Sequence, residues 1–67
     1  MKRIEVIGFD KNGYTFFKDE YCLSIRTAKK TAKNQIKDKE LILNGLDTIR
    51  IKVNDKYLYN YEVKKWN

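Results

Sequence analysis

The sequence predicts a small α+β domain of order ββαββ, with one helix packed on an antiparallel sheet of two hairpins. Three observations carry this prediction. Two stretches of alternating apolar and polar residues, each broken by a turn signal, flank the middle of the chain. A helix-period stretch with its own cap lies between them, and no proline or linker-like segment interrupts the order. Sixty-seven residues leave room for one hydrophobic core, so residues 1–67 are read as a single domain.

The first strand runs from Lys2 to Phe9 and is rich in β-branched residues. Asp10, Lys11, Asn12 and Gly13 form the strongest turn signal in the chain, because Asn and Gly adopt positive φ cheaply. A second strand from Tyr14 to Tyr21 follows. A four-residue loop sets Phe9 opposite Tyr14, Ile7 opposite Phe16 and Glu5 opposite Lys18; a two-residue Asn-Gly turn is the alternative.

Ser24 is placed to cap a helix, its hydroxyl accepting from a backbone N–H of the first turn. Ala, Lys and Gln through Lys37 favour that helix, and Asn44 and Gly45 offer a later stop. Lys39 falls on the apolar arc and argues for fraying after Lys37, so the end is expected between Lys37 and Asn44. Ile25, Ala28, Ala32 and Ile36 share one arc, while Arg26, Lys29, Lys30, Lys33 and Lys37 share the adjoining one. The helix therefore carries a core contact and a cationic stripe side by side.

Thr48 to Val53 alternates cleanly, with Ile49, Ile51 and Val53 on one side. After Asn54, Asp55 and Lys56 the alternation resumes at Tyr57, Tyr59, Tyr61 and Val63. A three-residue loop pairs Val53 with Tyr57, Ile51 with Tyr59 and Ile49 with Tyr61, gathering every apolar member on one face. The three tyrosines resemble a base-stacking platform in spacing, but their isoleucine partners favour a core-facing hairpin. Phe16 and Phe17 are adjacent, so regular alternation turns one of them away from the helix, where it would form a second apolar contact such as a dimer interface.

Composition narrows the function classes. Hydrophobic residues make up 42% of the chain and aromatics 13%, too much apolar matter for a disordered tail even beside 36% charged residues. One cysteine, Cys22, and no histidine exclude a disulfide within one chain and remove the usual zinc ligand sets, so no metal or cofactor is expected. Cys22 is the single candidate nucleophile, and without a histidine base it is read as a packing residue; no catalytic site and no enzyme activity are expected. No apolar run approaches the roughly 18 residues of a membrane span. A lone thiol without an export signal points to the cytoplasm, the host cytoplasm if the chain is phage-encoded.

The formal charge of +6 favours an acidic partner. Arg26, Lys29, Lys30, Lys33 and Lys37 are the candidate contacts, joined by Trp66 in the basic-aromatic tip with Lys64 and Lys65.

A hairpin at the first residues, a Ser24-capped helix, and the run Thr48-Ile49-Arg50-Ile51-Lys52-Val53-Asn54-Asp55-Lys56 leading into a last strand make up a layout. As a pattern over nearly the whole chain, it resembles small phage-encoded proteins that disarm or redirect host machinery, the antitoxin type of T-even phages among them. The resemblance carries over no functional residue. It implies stoichiometric binding that occludes a working surface of a host protein. Many such proteins are acidic mimics of nucleic acid; this chain is basic, which speaks against mimicry. The expectation is thus a non-enzymatic inhibitor or regulator of a host protein. The alternative is a nucleic-acid-binding module that lays the same stripe on phosphates, and a homodimer joined through a sheet edge is a third reading.

Overall fold

The computed structural model describes residues 3–20 and 24–63. Six elements follow one another: β1 (Ile4–Asp10), β2 (Thr15–Asp19), α1 (Ile25–Ile36), α2 (Lys39–Leu43), β3 (Leu46–Val53) and β4 (Lys56–Glu62). The strands form one antiparallel sheet in the order β2-β1-β3-β4, covered on one face by α1. This is the expected α+β, ββαββ architecture with a second short helix added. Cys22 and Trp66, together with Lys64 and Lys65, lie outside the described residues.

Ser24 caps α1 as its sequence position demands, with Oγ accepting from the Thr27 N–H at 3.1 Å. Ala28, Ala32 and Ile36 are completely buried against Ile4, Val6, Ile49, Ile51, Val53 and Tyr61. The helix stops at Ile36, near the early limit of the expected range. Asp38 is extended there, and its carboxylate accepts from the Glu40 and Leu41 N–H groups, so it restarts the chain as α2. After that restart Leu41 and Ile42 pack onto the core. Gly45, at φ +117°, then closes α2 and admits β3.

Both hairpins depart from their expected registers through a bulge. In the first, the Asp10 carboxylate accepts from Asn12 N–H at 2.9 Å and Tyr14 N–H at 3.0 Å, tightening the turn so that Phe9 faces Thr15. Phe16 becomes the extra residue, and Ile7 lies opposite Lys18 in place of Phe16. Freed from strict alternation, the Phe16 ring meets Phe17 edge to face at 6.1 Å. Both rings are half-buried, so they do not offer the free apolar contact that simple alternation implies.

In the second hairpin, Ile49–Tyr61 and Ile51–Tyr59 pair as expected. The turn is then two residues, Asn54 and Asp55 at φ 48° and 70°, not three. Asn54 is tied to Arg3 in both directions, N–H to carbonyl at 2.9 Å and side-chain oxygen to N–H at 3.0 Å, which anchors that turn to the start of β1. Leu58 becomes the bulge, and Tyr57 pairs with Lys52 on the face away from α1.

The uncovered face is stitched at one end by a four-charge cluster. Glu5, only 2% exposed, meets Arg3 Nε at 3.0 Å and Lys18 Nζ at 3.3 Å; Glu20 meets the same two cations at 3.3 and 3.0 Å. Hydrogen bonds donated by Lys18, then by Arg3, hold the Glu20 carboxyl below its ordinary 4.5, and those Lys18 donates to Glu20 and then to Glu5 hold Lys18 above 10.5.

Two predictions follow from this architecture. Gly8 pairs with Phe17, and a β-carbon at position 8 would clash with the Phe17 ring. Gly8→Ala should therefore cost about 1–3 kcal/mol in urea unfolding, and much less in a Phe17→Ala background, where the ring is gone. The second concerns acid. A carboxyl whose folded pKa is depressed contributes its full stabilisation above the unfolded value and loses it as pH falls through the folded one. The difference in urea midpoint between wild type and Glu20→Gln should hold steady down to about pH 4.5 and shrink toward zero below it. A difference that persists in acid would mean that Glu20 acts through packing.

Candidate functional site

Burial of the alanine arc fixes the rotation of α1 and thereby places the cationic stripe. Arg26, Lys30, Lys33 and Lys37 are exposed; Lys29 is half-buried, its Nζ 4.1 Å from the centre of the Tyr59 ring on β4. The stripe thus leans over the β4 side of the sheet. No acidic residue occurs in α1, and none of Arg26, Lys29, Lys30 or Lys33 is paired with a carboxylate among the described residues. These side chains keep their charge available to a partner.

The charge distribution is lopsided. Twelve basic and nine acidic residues lie within 3–20 and 24–63, and five of the basic ones form the stripe. The rest of the described chain therefore holds seven basic against nine acidic residues. The whole positive excess of the described residues belongs to one flank of one helix.

The tyrosines divide between two faces. Tyr61 is buried in the core and Tyr59 packs half-buried against it, as a core-facing hairpin requires. Tyr57, turned by the Leu58 bulge, is 50% exposed on the opposite face. There it lies 5.6 Å from the Arg50 guanidinium and 5.4 Å from Lys52 Nζ. Arg50, on β3, also reaches the Phe9 ring of β1 at 5.5 Å. A second cluster thus forms on the uncovered face, with a stacked arginine at its centre. Reading the sequence alone missed it. Arg50 has the signal of an outward position in an alternating strand, but its aromatic neighbours come from the pairing of β3 with β1 and from the bulge.

Two hollows, each about 260 Å³, open on either side of Arg50. One is bounded by Phe9, Asp10, Asp47 and Thr48; the other by Tyr57, Leu58, Tyr59 and Asn60. The carboxylates nearby have structural duties. Asp10 closes the first turn, Asp38 caps α2, Asp47 accepts from the Thr48 hydroxyl at 3.1 Å, and Glu5 and Glu20 sit in the ion-pair cluster. Among the described residues no group of three or more His, Cys, Asp or Glu side chains could hold a metal ion, and no helix is long and apolar enough to cross a membrane.

The elements of a site are therefore a cationic flank on α1, an aromatic edge strand beside it, and a stacked arginine on the far face. Compared with known proteins, the chain matches no family model, no curated protein and no solved structure.

Proposed function

We propose that this protein is a small non-enzymatic binding protein that covers an acidic surface of a protein partner. The supporting observation is the concentration of its positive excess on the α1 flank, where Arg26, Lys29, Lys30 and Lys33 have no carboxylate partner among the described residues. Such a flank steers an acidic surface into place, and the half-buried Tyr59 ring of β4 lies beside it under Lys29. The layout resemblance adds the kind of partner: a host protein whose working surface is occluded by an inhibitor or regulator from a phage or other mobile element. No cofactor and no membrane enter this reading.

A second reading has one observation in its favour. A helix with four cations, a fifth at its C-cap and no carboxylate also suits a phosphate backbone, where each neutralised phosphate releases counterions. The two readings separate in salt. Phosphate binding falls steeply and linearly in log salt, whereas a contact anchored by aromatics changes less.

Capture from the lysate of a candidate host, with and without nuclease, tests the proposal. A specific protein should be retained after nuclease treatment, and a Lys29→Ala, Lys30→Ala, Lys33→Ala variant should bind that protein about tenfold more weakly, as three lost rim charges imply. Loss of all bound material on nuclease treatment would establish the nucleic-acid reading. Unchanged binding by the triple variant would make the stripe an ordinary solvated face.

A further inference from the structure

The geometry points to Arg50 as a receptor for a single carboxylate on an acidic segment of the protein partner, held in the hollow bounded by Tyr57, Leu58, Tyr59 and Asn60. This inference deepens the partner-binding reading and rests on it.

Arg50 is exposed, yet its position is constrained. The guanidinium lies 5.5 Å from the centre of the Phe9 ring and 5.6 Å from that of Tyr57, rings carried by the two strands that flank β3. Cation–ring contact on two sides narrows the rotamers of a long side chain before any ligand arrives, so less entropy is lost on binding. A ring face accepts no conventional hydrogen bond in return, so a guanidinium placed beside rings keeps its N–H donors available, in the fork geometry that receives two carboxylate oxygens at once. Among the described residues no carboxylate fills that role. The protein's nearest ion-pair cluster is built from Arg3, Lys18, Glu5 and Glu20, without Arg50.

The hollow beside it supplies the rest of a small site. Asn60 lies directly across from Arg50 on β4 and adds an amide that can donate to the same ligand. Leu58, 53% exposed at the bulge, and the Tyr57 ring give the carboxylate's apolar neighbours something to cover. No acidic side chain lines this hollow, whereas Asp10 and Asp47 line the one on the other side of Arg50. The site is thus one-sided, favouring a carboxylate that approaches across β4.

Two features favour a protein segment over a nucleic acid as occupant. Arg50 lies against the Phe9 and Tyr57 rings and Lys52 against Tyr57, so a base stacking flat on either ring would have to displace a cation, whereas an apolar side chain can pack beside them on the half-exposed Tyr57. The uncovered face also carries Glu5, Glu20 and Glu62 along with its cations, which repels a continuous polyphosphate but tolerates an isolated carboxylate. Tyr and Arg in such a cluster are the residue types that dominate protein interfaces.

The test uses the full chain and two labelled probes, a peptide of alternating glutamate and valine and an oligothymidylate of matched charge, followed by fluorescence anisotropy. Arg50→Lys keeps the charge but loses the planar fork and the stack; it should weaken peptide binding roughly tenfold while leaving the slope of affinity against salt unchanged. Tyr57→Leu should weaken it about threefold, through loss of one stacked ring. The Lys29, Lys30 and Lys33 alanine variant should act differently, lowering the salt slope itself. An unchanged urea midpoint for Arg50→Lys confirms that its effect is on binding. The inference is overturned if Arg50→Lys binds the peptide as wild type does, if wild type does not bind the peptide, or if oligothymidylate is the probe whose affinity depends on Arg50 and Tyr57. Loss in the triple variant alone would leave partner binding standing and remove Arg50 from it.

Discussion

What the helix side of this protein displays is set by how closely α1 can approach the sheet. Ala28 and Ala32 present almost no side chain, so the helix axis can come near the strands, and Ile36 fills the space that opens beyond them. The contact is completely closed, with all three residues buried. Because only one arc of α1 is apolar, closing it leaves a single rotation for the helix. That rotation puts Lys29 over Tyr59 and the other cations beyond it. A bulkier residue at position 28 or 32 would push the helix outward and uncouple the stripe from β4 as surely as removing its charges.

Covering only one face of the sheet has a second consequence. A four-stranded sheet covered on one side must manage its other face without a core. Here the outer face is filled from within: Glu5 draws Arg3 and Lys18 down across one end, and Arg50 spreads between Phe9 and Tyr57 over the other. Long cationic side chains lying flat over aromatic and carboxylate neighbours cover surface that a helix would otherwise cover. The same arrangement that shields the sheet also holds Arg50 in a defined place, so packing and readiness to bind come from one set of contacts.

Much of this was legible in the sequence wherever a feature depended on period alone. The Ser24 cap, the buried arc of Ala28, Ala32 and Ile36, the pairing of Ile49 with Tyr61, and the exposure of Arg26, Lys30, Lys33 and Lys37 all follow from 3.6-residue or two-residue repeats. What was not legible depended on side chains that act on distant or turn backbone. The Asp10 carboxylate resets the first register, and the tie between Asn54 and Arg3 joins residues far apart in the chain. Each coincides with a bulge, and a bulge reverses the face of every residue beyond it. Tyr57 is the residue that this reversal matters for most, and Arg50 is seen as a site only after it. The break at Asp38 has the same character: one carboxylate offered to two N–H groups outweighs the helix preference of the residues around it.

The placement of β4 connects the two charged regions. It is an edge strand, with Lys29 against its Tyr59 on the helix side and Arg50 and Lys52 against its Tyr57 on the other. Without the bulge at Leu58, both tyrosines would face α1 and Arg50 and Lys52 would have no β4 ring beside them. With it, a segment passing over the edge of β4 meets positive charge above and below, but a continuous strand cannot pair along the whole edge, because the bulge interrupts the ladder. An exposed edge that resists indiscriminate pairing yet is straddled by cations favours a bound chain that crosses it through side-chain contacts. Acidic side chains interspersed with apolar ones satisfy that geometry better than a uniform polyanion, since the charges they must meet are separated by the width of the strand and by the rings of Tyr57 and Tyr59.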